Sequence, residues 1–461
     1  MSLLEQIRRT TGQFFRRRAA KKLSPILLAL ACMAITCQAL AGCTGLGAET
    51  PTLTQPAPSV TATPTGSPEG TGSPTLTAAP KTPRTLLIWL PPQFDPSTGT
   101  PAAEKLRARL DAFQTANPDY KVEVRIKAAS GLGGLLDALS ITSAAAPGAL
   151  PALIALPRSD LENAALKGLV FPLDGLTNEV DDPDWYAYAR QLALIQGSAY
   201  GLPFAGDVLL LLYRSQQIPN PPTDWPSILH GALPLAFPAA DPQANLTLLL
   251  YLSAGGQVKD SQGRPTLQAD ILARVLTLYA DGVKQGSLPA WLAPYQTDAQ
   301  AWQAYRDQRA QWLVTWSSRL LAESPAETAV VGLPSLGTAG SQPLTLATGW
   351  MWALSEPNND LRPAAVKLAE DLSSSEFMSQ WTAAAGYLPT RPTALAAWSN
   401  QALKAALSPI VLAAQARPAG DLLASLGPIL LDATQQVIKQ GADPTQTAQA
   451  AAERLAAPAS H

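Results

Sequence analysis

Short apolar runs and amphipathic segments alternate along most of this chain, from Arg84 to Leu455. Thr85-Leu86-Leu87-Ile88-Trp89-Leu90 is apolar almost throughout, the pattern of a strand covered on both faces. Leu106, Leu110 and Phe113 then recur at helical spacing between Ala102 and Asn117, where Asn117-Pro118-Asp119 forms a stop. Val122, Val124 and Ile126 alternate as a second strand, and a helix is expected over 135–141. Leu153-Ile154-Ala155-Leu156 reads as a third strand, closed by Pro157. The theme returns as helices over 268–284, 298–309 and 361–373 and as strands over 312–316 and 345–354. A long Ala- and Gln-rich helical region then fills most of 394–456. Alternation of this kind predicts an α/β fold with ligands bound at the carboxyl ends of its strands.

The first residues are of a different material. Residues 1–22 carry Arg8, Arg9, Arg16, Arg17, Arg18, Lys21 and Lys22 against the single acid Glu5, and a mostly apolar run follows from Leu23 to Gly42. A basic region, an apolar region and small residues before a cut describe a secretory signal over 1–42. A run of this length also matches a single membrane span. On either reading the rest of the chain lies outside the cytoplasm, as the basic residues before the run require. Residues 43–83 are a tether. Between Thr44 and Pro83 stand 11 Thr, 8 Pro, 5 Gly and 3 Ser, too little apolar surface to offset the entropy of ordering.

Composition narrows the function. The 461 residues suffice for two or three domains with sizeable cores. Without residues 1–42 the chain carries 26 bases and 34 acids, a net charge of −8, so no nucleic-acid partner is expected. Cys32 and Cys37 would leave with the signal, so the mature chain forms no internal disulfide. Only His230 and His461 are present, which excludes most His-based zinc sites and disfavours a His-dependent triad. The sequence lacks Gly-x-Ser-x-Gly, His-Glu-x-x-His and Ser-x-x-Lys signatures, so it does not read as an enzyme. Gly131-x-Gly133-Gly134 is too weak for a phosphate loop, and Asp181-Asp182-x-Asp184 reads as a solvated turn rather than a calcium loop. No cofactor and no metal are expected.

Several stretches, in order, resemble a known family. Leu40-Ala41-Gly42-Cys43 resembles a bacterial lipobox, which implies cleavage before Cys43 and diacylglyceryl modification of its sulfur. Phe113 with Asn117-Pro118-Asp119-Tyr120-Lys121-Val122, and Lys167-Gly168-Leu169-Val170-Phe171-Pro172-Leu173-Asp174, are similar to stretches of the extracellular solute-binding proteins of ABC importers, the maltose-binding-like group. So are Gly197 to Phe204, Pro221-Pro222-Thr223-Asp224-Trp225, Ala254-Gly255-Gly256 with Asp260 to Leu267, and Gly349-Trp350. The most specific is Gly386-Tyr387-Leu388-Pro389-Thr390-Arg391. The resemblance covers nearly all of 84–455 and implies a two-lobed, type II periplasmic-binding-protein-like fold that closes on a ligand. It places the crossings near 205–209 and 330–334. Lobe 1 would be 84–206 with 334–378, and lobe 2 would be 207–333 with 379–455.

The function implied is capture of a small solute, a sugar or oligosaccharide, and its delivery to the membrane permease of an ABC importer. The protein would be held at the cell surface or periplasmic face by the lipid on Cys43. The alternative is a surface lipoprotein of the same fold that senses or captures a ligand without feeding a permease. Trp89, Trp316, Trp350 and Trp352 adjoin loops where family members stack aromatics on sugars, although such positions are also ordinary core. Trp352 should face the same side as Trp350. Polar candidates are Gln93, Asp95, Arg158, Ser159, Asp160 and Asp207, with Arg158 or Asp160 suited to bidentate bonds to hydroxyls or else simply solvated. Tyr387 and Arg391 either touch ligand or brace the lobes. Departures stand at Ala152, at Tyr213-Arg214-Ser215 and over the wholly apolar Val208 to Leu212.

Overall fold

A computed structural model of the chain describes residues 82–337 and 343–457. The expected signal over 1–42, Cys43 and nearly all of the Thr- and Pro-rich stretch lie outside the described residues. Strand β1 (Arg84–Leu90) runs parallel to β2 (Tyr120–Ile126) on one side and β3 (Leu153–Pro157) on the other. The crossovers are α1 (Pro101–Ala116) and α2 (Leu135–Ala145). The local chemistry explains α1. Thr100 accepts a hydrogen bond from the Ala103 amide at 3.2 Å, and Pro101 takes a first-turn place where no donor is needed. At the far end Asn117 Nδ2 donates to the Phe113 carbonyl at 2.8 Å, and Pro118 stops the helix. Its Ala103, Leu106, Leu110 and Phe113 face the core.

From β3 the chain enters α3 (Arg158–Leu166) with no intervening loop, then α4 (Ala187–Ala193), the small hairpin β4 (Leu194–Ile195) and β5 (Ser198–Ala199), and β6 (Gly201–Arg214). The next group is α5 (Trp225–His230), β7 (Leu235–Ala236), α6 (Asn245–Ser253), α7 (Ala269–Gln285), α8 (Asp298–Arg306), β8 (Trp312–Trp316), α9 (Ser317–Glu323) and β9 (Thr328–Val331). The last comprises β10 (Thr345–Leu354), α10 (Arg362–Leu372), α11 (Ser375–Ala385), α12 (Pro392–Ala396), α13 (Gln401–Leu412), β11 (Ala414–Ala416), α14 (Gly420–Gln440) and α15 (Pro444–Ala456).

The main strands join in one path, β2-β1-β3-β10-β6-β8-β7, with β11 on β10 and β9 on β6. Strand β6 belongs to both halves of it. From Gly201 to Val208 it pairs with β10, and from Leu209 onward it pairs with β8 and β9. Two hydrophobic clusters result. Leu86, Ile88, Leu153, Phe204 and Met351 belong to the first, and Trp225, Phe237, Leu248, Leu272 and Leu426 to the second. Along β6 the faces alternate: Val208, Leu210 and Leu212 enter the first cluster, Leu209 and Leu211 the second. A strand buried on both faces has no place for a polar side chain, which accounts for the apolar run over 208–212.

The fold is therefore mixed α/β and two-lobed, but its boundaries differ from those expected. The return crossing lies later than 330–334. Strand β9 still pairs with β6, Leu333 sits in the second cluster, and Trp225 donates to the Pro334 carbonyl at 2.7 Å. Strand β10, from Thr345, then pairs with the first part of β6. The piece 379–455, expected with the second lobe, is itself divided. Trp381, Leu388 and Leu395 are buried in the first cluster, and only from Leu422 onward does the chain join the second. The reason is packing. Trp381 fills a space against Phe94, with ring centroids 5.3 Å apart, whereas α14 and α15 lie on α7.

The segment Gly386 to Arg391 braces the first crossing. The Gly206 amide donates to the Leu388 carbonyl at 2.7 Å and the Leu388 amide returns a bond at 2.9 Å. Thr390 Oγ1 donates to the Pro203 carbonyl at 3.0 Å. Gly206 has no room for a side chain, since a Cβ there would collide with Tyr188 Oη and lie 3.4 Å from the Leu388 carbonyl. We expect Gly206→Ala to destabilise the protein by about 1–3 kcal/mol, as over-packing does. The Tyr188 hydroxyl has no hydrogen-bond partner among the described residues, so Tyr188→Phe should remove part of that penalty cheaply. Thermal denaturation of both single variants and the double variant measures this; equal penalties in the two backgrounds would refute the collision.

Candidate functional site

The carboxyl end of β3 leads to a cleft of about 690 Å³ between the two halves of the fold. One wall is the start of α3, with Arg158, Ser159, Glu162 and Asn163. The turn between β4 and β5 adds Ile195 and Gln196. The opposite wall comes from Pro242 and Gln243, before α6, and from Arg417, Gly420, Asp421 and Leu423, at the start of α14. The polar groups are amides, a hydroxyl and charged side chains, set among Leu166, Leu423 and Pro428.

Hydrogen bonds fix several of these groups. Arg158 Nη1 donates to the Leu192 and Leu194 carbonyls at 2.6 and 2.7 Å, and its Nη2 pairs with Glu162 Oε1 at 3.1 Å. Arg158 thus ties α3 to the end of α4. Glu162 reaches further: its Oε2 accepts the Gly420 amide of α14 at 2.8 Å, so one carboxylate joins the first half to the second. That carboxylate sits at the positive end of a 21-residue helix, a favourable place for negative charge. On the second half, Arg417 Nη2 donates to the Gln243 Oε1.

The expected site residues fall into distinct places. Arg158 and Ser159 line the cleft. Asp160 stands in the next position of α3, half-buried and outside the lining, and desolvation raises its carboxyl above the usual range. Gln93 is exposed near the Tyr387 hydroxyl, which burial pushes up to about 12. Trp350 is half-buried, edge-on to Phe94 with centroids 5.2 Å apart. Trp316 ends β8 and faces a small separate cavity with Asp241, Asn245 and Asp298.

Three expectations need correction. Trp89 and Trp352 are each 2 % exposed and belong to the core, with Trp352 stacked on Phe204 at 4.2 Å. Trp350 and Trp352 do share a side, since Phe94 and Phe204 are in contact at 5.5 Å. The hydrophobic packing under β10 simply claims the inner one. Arg391 is 4 % exposed and is held by Glu179 and Asp182, both at 2.6 Å, by the Ser373 carbonyl and by the Trp185 ring. It is an internal brace, and Asp182 of the 181–184 turn is one of its anchors, while Asp181 is exposed and pairs with Arg190.

Asp207 lies on β6 at the crossing. Its Oδ1 accepts from Ser317 Oγ at 2.7 Å and the Ser318 amide at 2.9 Å, and its Oδ2 from Ser318 Oγ at 2.6 Å. These bonds fasten the start of α9 to the crossing strand. Desolvation outweighs them and lifts the carboxyl from the ordinary 3.8 to about 6. Sequence reasoning missed Glu162, Gln196, Gln243 and Arg417. The available signal was Arg417-Pro418-Ala419-Gly420, an interruption inside the Ala-rich helical region that marks a helix start.

A family model described as bacterial extracellular solute-binding protein matches residues 108–406. Among curated proteins none is a significant match. Solved structures share the fold. The cyclic α-maltosyl-1,6-maltose binding protein from Arthrobacter globiformis is 17 % identical with a TM-score of 0.66, over 81 % of this chain and 98 % of that one. The sugar-binding protein MalE from Xanthomonas citri is 18 % identical with a TM-score of 0.66, over 80 % and 96 %. An ABC substrate-binding protein from Listeria monocytogenes, in complex with cycloalternan, is 15 % identical with a TM-score of 0.61, over 81 % and 98 %.

Two outcomes follow from the braces. A carboxyl whose folded pKa lies above its unfolded value favours folding while protonated, so the Asp207 contribution is full below about pH 4 and is lost as pH rises through about 6. Asp207→Asn keeps an acceptor for Ser317 and Ser318 and should flatten the melting temperature across that range; an unchanged slope would assign it to other groups. Arg391→Met leaves two acids without their cation and should cost about 3 kcal/mol in chemical denaturation. Solute affinity measured at a temperature where the variant is folded should stay unchanged.

Proposed function

The chain belongs to the bacterial extracellular solute-binding proteins, and we propose that it captures a sugar or oligosaccharide between its lobes and passes it to the permease of an ABC importer. In this reading the lipid on Cys43 holds the protein to the outer side of the membrane, and the Thr- and Pro-rich stretch spans the gap. The observation that carries the reading is the cleft of about 690 Å³ at the carboxyl end of β3, bounded by both halves of the fold. That volume is within the usual 300–1,000 Å³ for small-molecule sites. Its amides and hydroxyl suit a ligand rich in hydroxyls, and its aliphatic patches suit the apolar faces of sugar rings. Walls carried by separate lobes let the solute stabilise the closed arrangement by its differential affinity for it, and a permease reads that arrangement. The reading requires no covalent step on the solute.

Thermal unfolding of the full-length protein with sugars, polyols, peptides and polyamines tests the solute class. A saccharide at a hundred times its Kd should add about 2.7 kcal/mol of stability. A peptide or polyamine that raises the melting temperature while no saccharide does would refute the sugar assignment. Mass spectrometry of the mature amino terminus tests the anchor, and an uncut chain with unmodified Cys43 would refute it.

A further inference from the structure

The cleft offers three positive features to a ligand, and two of them are already engaged. Arg158 spends its donors on the Leu192 and Leu194 carbonyls and on Glu162. The amino end of α14 is served by carboxylates of the chain itself: Glu162 Oε2 takes the Gly420 amide, and Asp421 Oδ1 takes the Leu422 amide. Arg417 is different. Its guanidinium meets the neutral amide oxygen of Gln243, its Nε is shielded from solvent without an acceptor, and it forms no ion pair among the described residues. The acid whose charge acts on it is Asp241, whose oxygens accept from the Gln243 amide at 3.0 Å and from the Asn245 amide and Nδ2 at 3.0 and 2.6 Å. Desolvation lowers the Arg417 pKa and the Asp241 charge only partly offsets it.

We propose that Arg417 receives a carboxylate of the solute, so that the cleft takes an acidic saccharide of the uronic acid type. This rests on the reading of the cleft as the solute site. The physical reason is charge balance. A solute hydroxyl gives the guanidinium an acceptor but leaves a desolvated cation uncompensated, whereas a carboxylate supplies both an acceptor and the opposite charge. The rest of the lining fits the remainder of such a molecule. Asn163, Gln196 and Gln243 present amides for hydroxyls, and Leu166, Ile195 and Leu423 give aliphatic contact to ring faces. Among the described residues no aromatic side chain lines this cleft.

Isothermal titration calorimetry of the full-length protein tests this with matched pairs: oligomers of galacturonate, glucuronate and mannuronate, each against its neutral sugar counterpart. The expected result is that at least one uronate binds about thirtyfold more tightly than its neutral partner, as a buried charge pair supports. Arg417→Gln should abolish that preference, bringing the affinities for each uronate and its neutral partner to the same value. Arg417→Lys, which keeps the charge but not the fork, should retain part of it, and it serves if the glutamine variant does not fold. Glutarate is included as a carboxylate without a sugar. Neutral sugars binding as tightly as uronates, or an unchanged preference in both variants, would overturn the role of Arg417 and leave solute capture intact. Glutarate binding that depends on Arg417, with no saccharide bound, would keep the carboxylate anchor and overturn the saccharide class. Binding of none of these probes would overturn both.

Discussion

Two lobes can close on a solute only if something continuous holds them in register, and here that is β6. Its first part is laddered to β10 and its second to β8 and β9, so its twist fixes how the halves face each other. Side chains reinforce the junction. Thr345 Oγ1 donates to the Leu209 carbonyl at 2.7 Å, where β10 begins, and Asp207 holds the start of α9. The Leu388 pair on Gly206 covers the backbone that β10 does not. These contacts lie at or beside the crossing, while the cleft walls are joined by few bonds. Stiffness at the axis with sparse contact at the mouth is the arrangement a hinged trap needs.

Much of this fold was legible in the sequence, because most elements obey one dominant local rule. The strands over 312–316 and 345–354 are found at those residues, and α1, α7 and α10 lie within a residue of their expected limits. Apolar runs in strands buried on two faces, and capped amphipathic helices, leave little choice. What sequence did not reveal is which lobe each late helix joins. Both clusters ask for the same aliphatic side chains, and the choice between them rests on fit, such as Trp381 against Phe94.

The site was less legible for a related reason. Tryptophan at a strand end looks the same whether it is a platform or core, and packing beneath β10 took Trp352 into the interior. Arg391 in the most recognisable segment looks functional because it is charged, yet its partners lie some two hundred residues earlier in the chain. Conversely, Gln196, Gln243 and Arg417 carry no motif. They matter because three loops, distant in sequence, converge on one cleft. Arg158 is the instructive mixture: it lines the cleft, but its donors serve the scaffold.

The place of β10 has a bearing on how the molecule is born. It lies between β3 and β6, pairing antiparallel with both. A chain emerging from its amino terminus therefore completes β1, β2 and β3 and then waits for close to two hundred residues before the strand that covers their open edge arrives. Until then Leu153 to Leu156 present unpaired backbone and apolar side chains, the kind of edge that invites association with other chains. The first half cannot mature alone, and a polypeptide cut short before Thr345 leaves an exposed seam rather than a smaller protein.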